Sequence, residues 1–252
     1  QNDLVIVVSC SGNTWETVEA AKTLHKQNSN VLAISRGGKL GELAKSLDFP
    51  IILMLQEKSQ PREEIGSFIG ILLELLGQVE FFDTKNLIDR LKAHIGQILP
   101  RLQERETYSE FFGLVGTRTH SFHVWGVSGD TKMVARRCQA QFNENSKVRA
   151  VASVFPELAH NLVVGFTDCS NNPFVLVLAT DFLEKPLASV LNRLKDILSK
   201  RGATLYSPHV LGDTWEEQLV YLVVWSDFAS YFLGKERGVD VDSIEIIDQL
   251  KR

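Results

Sequence analysis

The chain has 252 residues, 44% of them hydrophobic, and a formal net charge of −4. That length allows one large domain or two smaller ones with a sizeable core. An acidic chain without a basic stripe is a poor nucleic-acid binder, and no apolar run approaches the roughly 20 residues that span a bilayer.

The three cysteines, Cys10, Cys138 and Cys169, are odd in number and far apart. They argue against a disulfide scaffold or zinc ribbon and for a reducing compartment, so the expected location is cytoplasmic. The chain opens Gln1-Asn2-Asp3 and then reads as a strand, without signal-peptide character. The expectation from this opening is the remainder of a longer chain.

The first part alternates strand and helix. Leu4–Val8 is a strand and Trp15–Leu24 a helix. Val31–Ile34 is a second strand, Leu40–Leu47 a short helix and Ile51–Leu55 a third strand. The strands are continuous apolar runs, as expected where helices cover both faces of a parallel sheet. Pro61 opens a long helix from Arg62 to about Leu76.

Between the first strand and helix lies Ser9-Cys10-Ser11-Gly12-Asn13-Thr14. A strand, a hydroxyl-rich turn with glycine, and a helix start make the layout of an anion site. Ser9, Ser11 and Thr14 offer three hydroxyls, and Gly12 lets backbone come close to a ligand. No Gly-Lys-Ser/Thr follows, so a phosphomonoester suits the turn better than a triphosphate. The same residues also fit a plain helix cap, Asn13 or Thr14 with Glu16 in the first turn.

Thr84–Glu106 reads as an amphipathic helix that Pro100 should kink or divide. The second half repeats the α/β grammar without a convincing sequence repeat. Phe122–Trp125 is a strand, Gly126–Gly129 a turn, and Asp130–Phe142 a helix capped at or near Asp130. A short strand at Val148–Val151, a short helix at Pro156–Asn161 and a strand at Phe174–Ala179 follow. Pro186–Arg201 is a helix ending at Gly202, and Ala203–Tyr206 a strand. Thr214 to about Leu233 reads as a buried helix, and Asp242–Leu250 as the last one.

Four more residues could carry chemistry. Arg62 starts a helix after the third strand, where open parallel sheets place ligands. Glu144, in Asn143-Glu144-Asn145-Ser146-Lys147 just after a helix, could be a base or a surface charge. His160, in Pro156-Glu157-Leu158-Ala159-His160-Asn161, could move protons near neutral pH. Lys235 lies at a helix end, where a lysine often only complements the dipole. His120 and His123 read as flanks of a strand, and Trp125 and Trp225 as core. Glu63 and Glu64 read as first-turn acids that favour a helix dipole. No metal-ligand spacing is present.

Together these segments resemble the bifunctional phosphoglucose/phosphomannose isomerases, built on sugar isomerase (SIS) domains. Ser9–Thr14 resembles the family's Ser-Tyr-Ser-Gly-Asn-Thr loop, with Cys10 in place of tyrosine. Pro61-Arg62, Asn143–Lys147, Pro156–Asn161 and Gly238-Val239-Asp240 match further motifs in order. The family's earlier strand and Gly-Gly-Ser turn have no counterpart in the chain.

The resemblance implies an α/β fold of two SIS-type, flavodoxin-like subdomains, each a mainly parallel sheet flanked by helices. The expected divisions are a first subdomain at 1–83, a connecting helix at 84–109 and a second subdomain at 110–252. The implied activity interconverts glucose 6-phosphate, and mannose 6-phosphate, with fructose 6-phosphate through a cis-enediol. Ser9, Ser11 and Thr14 would hold phosphate. Glu144 would be the base, Arg62 the electrostatic stabiliser, and His160 with Lys235 the ring-opening pair. No cofactor or metal is implied. A homodimer is implied, with His160 contributed across the interface. The competing reading is a non-catalytic sugar-phosphate-binding SIS module or an inactive fragment.

Overall fold

The computed structural model of the chain describes residues 3–55, 60–79, 83–116 and 121–250. It divides into two units, Gln1–Lys85 and Asn86–Arg252.

In the first unit β1 (Leu4–Ser9), β2 (Asn30–Ser35) and β3 (Ile51–Leu53) form a parallel sheet in that order. α1 (Trp15–Lys26) and α2 (Gly38–Leu47) supply the crossovers, and α3 (Ile65–Gln78) comes after the third strand. The central strand is buried from Val31 to Ser35, which is why it is apolar without alternation. Ser9 pairs with Ser35, and Ser35 with Leu53. The three strands therefore end level, and their following loops emerge side by side.

The second unit takes most of α4 (Thr84–Leu102), then α5 (Ser109–Val115), β4 (Phe122–Val127), α6 (Lys132–Ser146) and β5 (Ala150–Phe155). β6 (Phe174–Val177), α7 (Lys185–Lys200), β7 (Thr204–Tyr206), α8 (Trp215–Glu236) and α9 (Glu245–Leu250) complete it. The parallel sheet runs β5-β4-β6-β7. Phe122, Val124, Phe174 and Leu176 face one core with α5, α6 and α8. Trp125, Val127, Val175 and Val177 face the other with Leu191 and Leu198 of α7. Both faces of the central strands β4 and β6 are thus buried, the arrangement their apolar runs require.

α8 begins with a capping box: Thr214 Oγ1 accepts from Glu217 N, and Glu217 Oε2 accepts from Thr214 N. It buries Gln218, Tyr221, Leu222, Trp225, Ala229 and Leu233 at helical spacing. Trp125 and Trp225 are core, as expected, at 1% and 2% exposure. Among the described residues no helix is long and apolar enough to cross a membrane.

Several local expectations need correction. Pro61–Glu63 is a 3-10 turn, and α-helix starts only at Ile65. Pro100 does not divide α4, which stays helical through it and ends two residues later. The α6 cap falls beside Asp130, at Thr131, while Asp130 itself accepts from Thr180 and Trp215. α6 runs past Phe142 to Ser146, because Asn145 and Ser146 find partners on α8. β5 consequently starts at Ala150 rather than Val148, whose N–H bonds back to Phe142. His123 lies within β4 rather than beside it, and His120 falls outside the described residues.

Phe111 sits at the centre of the larger core. Its ring meets those of Phe112, Phe142, Phe174, Tyr206 and Trp225, and it is fully buried. Phe111→Ala should lower the unfolding free energy by about 3–5 kcal/mol. Urea denaturation followed by tryptophan fluorescence measures it.

Candidate functional site

The loop after β1 is held by its own polar groups. Gly12 N–H donates to the carbonyl and hydroxyl oxygens of Ser9, each at 3.1 Å. The Ser9 and Thr14 hydroxyls share a hydrogen bond of 2.9 Å. Ser11 Oγ accepts from Asn13 N–H at 3.2 Å, and Asn13 Oδ1 accepts from Lys39 N–H at 3.1 Å. Thr14 occupies the N-cap position of α1, but its side chain makes no cap hydrogen bond. The plain-cap reading therefore does not describe this turn. The hydroxyl that would cap the helix turns to Ser9, and the first-turn N–H groups face outward along the axis.

Two glycines let this loop lie against the one after β2. Gly12 has φ +71°, and a Cβ there would stand 1.8 Å from the Gly37 carbonyl oxygen. Gly38 has φ +62°, with Ser11 O only 2.5 Å from a would-be Cβ. No other residue fits either place. Leu40 N–H donates to Gly12 O and Arg36 N–H to Cys10 O, which tie the two loops into one rim.

Arg62 is joined to this rim by a pair that the sequence does not reveal. The Arg36 guanidinium donates to the Glu64 carboxylate, and Ser67 Oγ donates to the same carboxylate. Glu64, expected as a first-turn acid, is buried at 7% exposure and holds these partners. The buried charge needs its partner, and breaking such a pair costs far more than an exposed one. The pair links the loop after β2 to the turn that carries Arg62. Nothing local signals it, since the partners are 28 residues apart. Cys10 lies beside this pair. Burial pushes its thiol pKa up, Arg36 pulls it down and Glu64 raises it again. The group stays a thiol at neutral pH.

In the second unit the Asn143–Lys147 segment closes α6. Asn143 Oδ1 accepts from Ala150 N–H at 2.8 Å, which places it at the start of β5. Asn145 Nδ2 donates to Ser230 Oγ at 2.9 Å, and Ser146 Oγ donates to the Ser230 carbonyl at 2.6 Å. Lys147 takes a left-handed conformation at φ 53° and donates to the carbonyls of Glu144 and Ser243. These four side chains hold backbone or neighbouring helix. Glu144, half-buried among them, lies inside the last turn of α6.

Lys235 is placed by the same lock. Gly234 packs so close that a Cβ there would be 2.5 Å from the Asn145 carbonyl oxygen. Glu144 and Lys235 are each one residue away from this backbone contact. Lys235 is exposed, with Nζ 5.3 Å from the centre of the Tyr231 ring.

His160 is elsewhere. It ends a 3-10 turn, Glu157–His160, beyond the carboxyl end of β5, and is exposed. Glu144 stands at the opposite, amino-terminal end of that strand. Six residues of β5 lie between, roughly 16 Å of strand. The second unit thus brings the backbone at Glu144 and Lys235 close and leaves His160 at the other end of β5. Ser9, Ser11, Thr14 and Arg62 belong to the first unit.

The structure also aligns a repeat that the bare sequence obscures. Gly126-Val127-Ser128-Gly129-Asp130-Thr131 follows the first strand of the second unit as Ser9–Thr14 follows β1. Gly129 has φ +77°, matching Gly12, and Thr131 takes the uncapped N-cap position of α6 as Thr14 does of α1. The second loop is closed, however. The fully buried Thr131 hydroxyl accepts from Val127 N–H and donates to the Leu178 carbonyl. A carboxylate, Asp130, sits where Asn13 sits in the first. The second loop thus has a carboxylate at its helix start where the first has an amide.

The profile of the bacterial phospho-glucose isomerase C-terminal SIS domain matches residues 117–252. A bifunctional phosphoglucose/phosphomannose isomerase of Caldicellulosiruptor bescii is 30% identical over 98% of this chain and 75% of its own length. The chain belongs to the bifunctional phosphoglucose/phosphomannose isomerase family. A D-glucosamine-6-phosphate 4-epimerase of Sulfolobus acidocaldarius is also similar, 27% identical over 98% of this chain and 74% of its own. The crystal structure of a glucosamine-6-phosphate deaminase from Thermotoga maritima shares the fold, with TM-score 0.69 and 20% identity over 96% of this chain and 72% of its own. The family is one of sugar-phosphate isomerases.

The close approach of the two rim loops gives a direct check. Gly12→Ala should destabilise the first unit by more than about 1 kcal/mol, since alanine is strained at positive φ and collides with Gly37. Thermal unfolding of the variant against the unsubstituted chain measures it.

Proposed function

We propose that the chain interconverts aldose and ketose 6-phosphates, glucose 6-phosphate and mannose 6-phosphate with fructose 6-phosphate, through a cis-enediol. The observation that carries this reading is the Asn143–Lys147 segment. Its hydrogen bonds to β5, to Ser230 of α8 and to the Ser243 carbonyl fix the last turn of α6, and with it the position of Glu144, whose backbone lies one residue from the contact with the Lys235 segment. The names of the curated relatives support the same chemistry.

In this reading Ser9, Ser11, Thr14 and the first-turn N–H groups of α1 hold the phosphate. Binding energy there, remote from the reacting carbons, serves the transition state. Glu144 takes the proton from C2 and returns it to C1. Arg62 stabilises the charge that develops on the enediolate oxygen, and the buried Arg36–Glu64 pair holds the turn that carries it. His160 and Lys235 open the sugar ring, moving protons at the ring oxygen and O1. A base indifferent to the configuration at C2 accepts both epimers. A non-catalytic sugar-phosphate sensor would have no use for Glu144, His160 and Lys235 together.

The reading includes a homodimer. His160 and Glu144 lie at opposite ends of β5, so one chain's His160 would serve its partner's Glu144. The composition of α3 supports an apolar interface. It carries a single charge, Glu74, buries no residue, and exposes Ile69, Leu72 and Leu76 by more than a third.

Glu144→Gln keeps shape and removes the proton acceptor. Turnover of fructose 6-phosphate should fall about 10²–10⁴-fold while binding largely survives. Near-normal turnover would leave Glu144 a surface charge. Formation of a C4 epimer of the hexosamine phosphate instead would align the chain with the epimerase relative. Mixing inactive Glu144→Gln protein with inactive His160→Ala protein should restore part of the turnover, because mixed dimers contain one intact site. If labelled subunits exchange and no activity returns, the shared site is refuted.

A further inference from the structure

A cavity of about 330 Å³ opens at the carboxyl ends of β6 and β7 in the second unit. It lies at the far side of the sheet from His160, since β5 and β7 are opposite edges of the described order. It is also at the opposite end from Glu144, which stands at the start of β5. The carboxyl ends of parallel strands are where open α/β sheets receive ligands. The assigned residues of the isomerase reading take no part in it.

Its basic and amide lining comes from α7 and the loop after β7. Lys195 of α7 points to the loop after β7, where Nζ donates to Ser207 Oγ at 3.0 Å. Asn192, one turn earlier, and His209 complete that wall. Lys195 is half-buried, and among the described residues no carboxylate lies within ion-pair distance of Nζ. The acid on the opposite wall, Asp181, is occupied. Its carboxylate accepts from Gln218 Nε2, and its N–H donates to Gln218 Oε1. Burial lowers the pKa of Lys195, with only Asp196 acting to raise it, and a bound anion would relieve that penalty. A half-buried ammonium with no carboxylate at ion-pair distance, joined by the exposed Ser207 hydroxyl, Asn192 amide and His209 imidazole, is a donor set for a phosphate group.

We propose that this cavity is a second binding site, one that takes the phosphate group of a small phosphorylated metabolite on Lys195, Ser207, Asn192 and His209. The neighbouring loop suits that purpose less, because it carries the Asp130 carboxylate, which is tied to Thr180 on the cavity wall.

The test is a titration of the isotopically labelled full chain with inorganic phosphate, read by amide resonances. Signals of Lys195, Ser207 and His209 should shift in a saturable way, separately from those of Ser9–Thr14. Lys195→Met should weaken that second transition about tenfold or more, the loss of one charge-assisted contact, and Lys195→Arg should retain it. Fructose 6-phosphate and a non-sugar phosphomonoester, titrated next, distinguish the substrate from a separate effector by which saturates the site at lower concentration. Absence of saturable shifts at these residues, or shifts unchanged in Lys195→Met, would overturn the proposal.

Discussion

The contact on which the second unit depends is that between the end of α6 and the last turns of α8. Gly234 has no side chain, so the α8 backbone comes down onto the Asn145 carbonyl. Asn145 and Ser146 then reach Ser230 through hydrogen bonds that are wholly buried. An unsatisfied amide or hydroxyl at that depth would cost on the order of 1–3 kcal/mol, so the pairing is specific as well as stabilising. The contact carries α6 beyond Phe142, sets the start of β5 through Asn143, and places Glu144 next to the Lys235 segment. An acid and a base-bearing helix end become neighbours because two backbones are allowed to touch.

The first unit uses the same device with different residues. Gly12 and Gly38 let the loops after β1 and β2 interlock, and the level strand ends bring them together. There the result is a rim of hydroxyls and backbone N–H groups. The charged pair Arg36–Glu64 extends the rim to the turn with Arg62. A lone buried carboxylate would shed its charge, whereas a paired one fixes the position of the turn to which it belongs. The turn that carries Arg62 is thus held by another arginine, Arg36.

The comparison of the two loops explains how one ancestral pattern can serve two ends. Both keep a glycine at positive φ and a threonine at an uncapped helix start. Asn13 spends one oxygen on Lys39 N–H and adds no charge. Asp130 brings a negative charge to the corresponding place and uses it to join β4, β6 and α8 through Thr180 and Trp215. The two loops differ in charge at this place and in the burial of the threonine hydroxyl that follows it.

Much of the fold was legible in the residues themselves. Unbroken apolar runs such as Val31–Ile34 required helices on both faces, and the alternation of runs with helical stretches required parallel sheets. The hydroxyl loop and the Asn143–Lys147 and Pro156–Asn161 segments were visible because their chemistry is contiguous. What tertiary structure decided was every relation between distant residues. The pairing of Arg36 with Glu64, the lock of Asn145 and Ser146 on Ser230, and the partners of Asp130 join positions 28 to 85 residues apart. Local periodicity carries no information on such pairs, since it reports only which face of an element is apolar. For the same reason the sequence named Glu144 and His160 alike, and only the course of α6 and β5 set them at opposite ends of one strand.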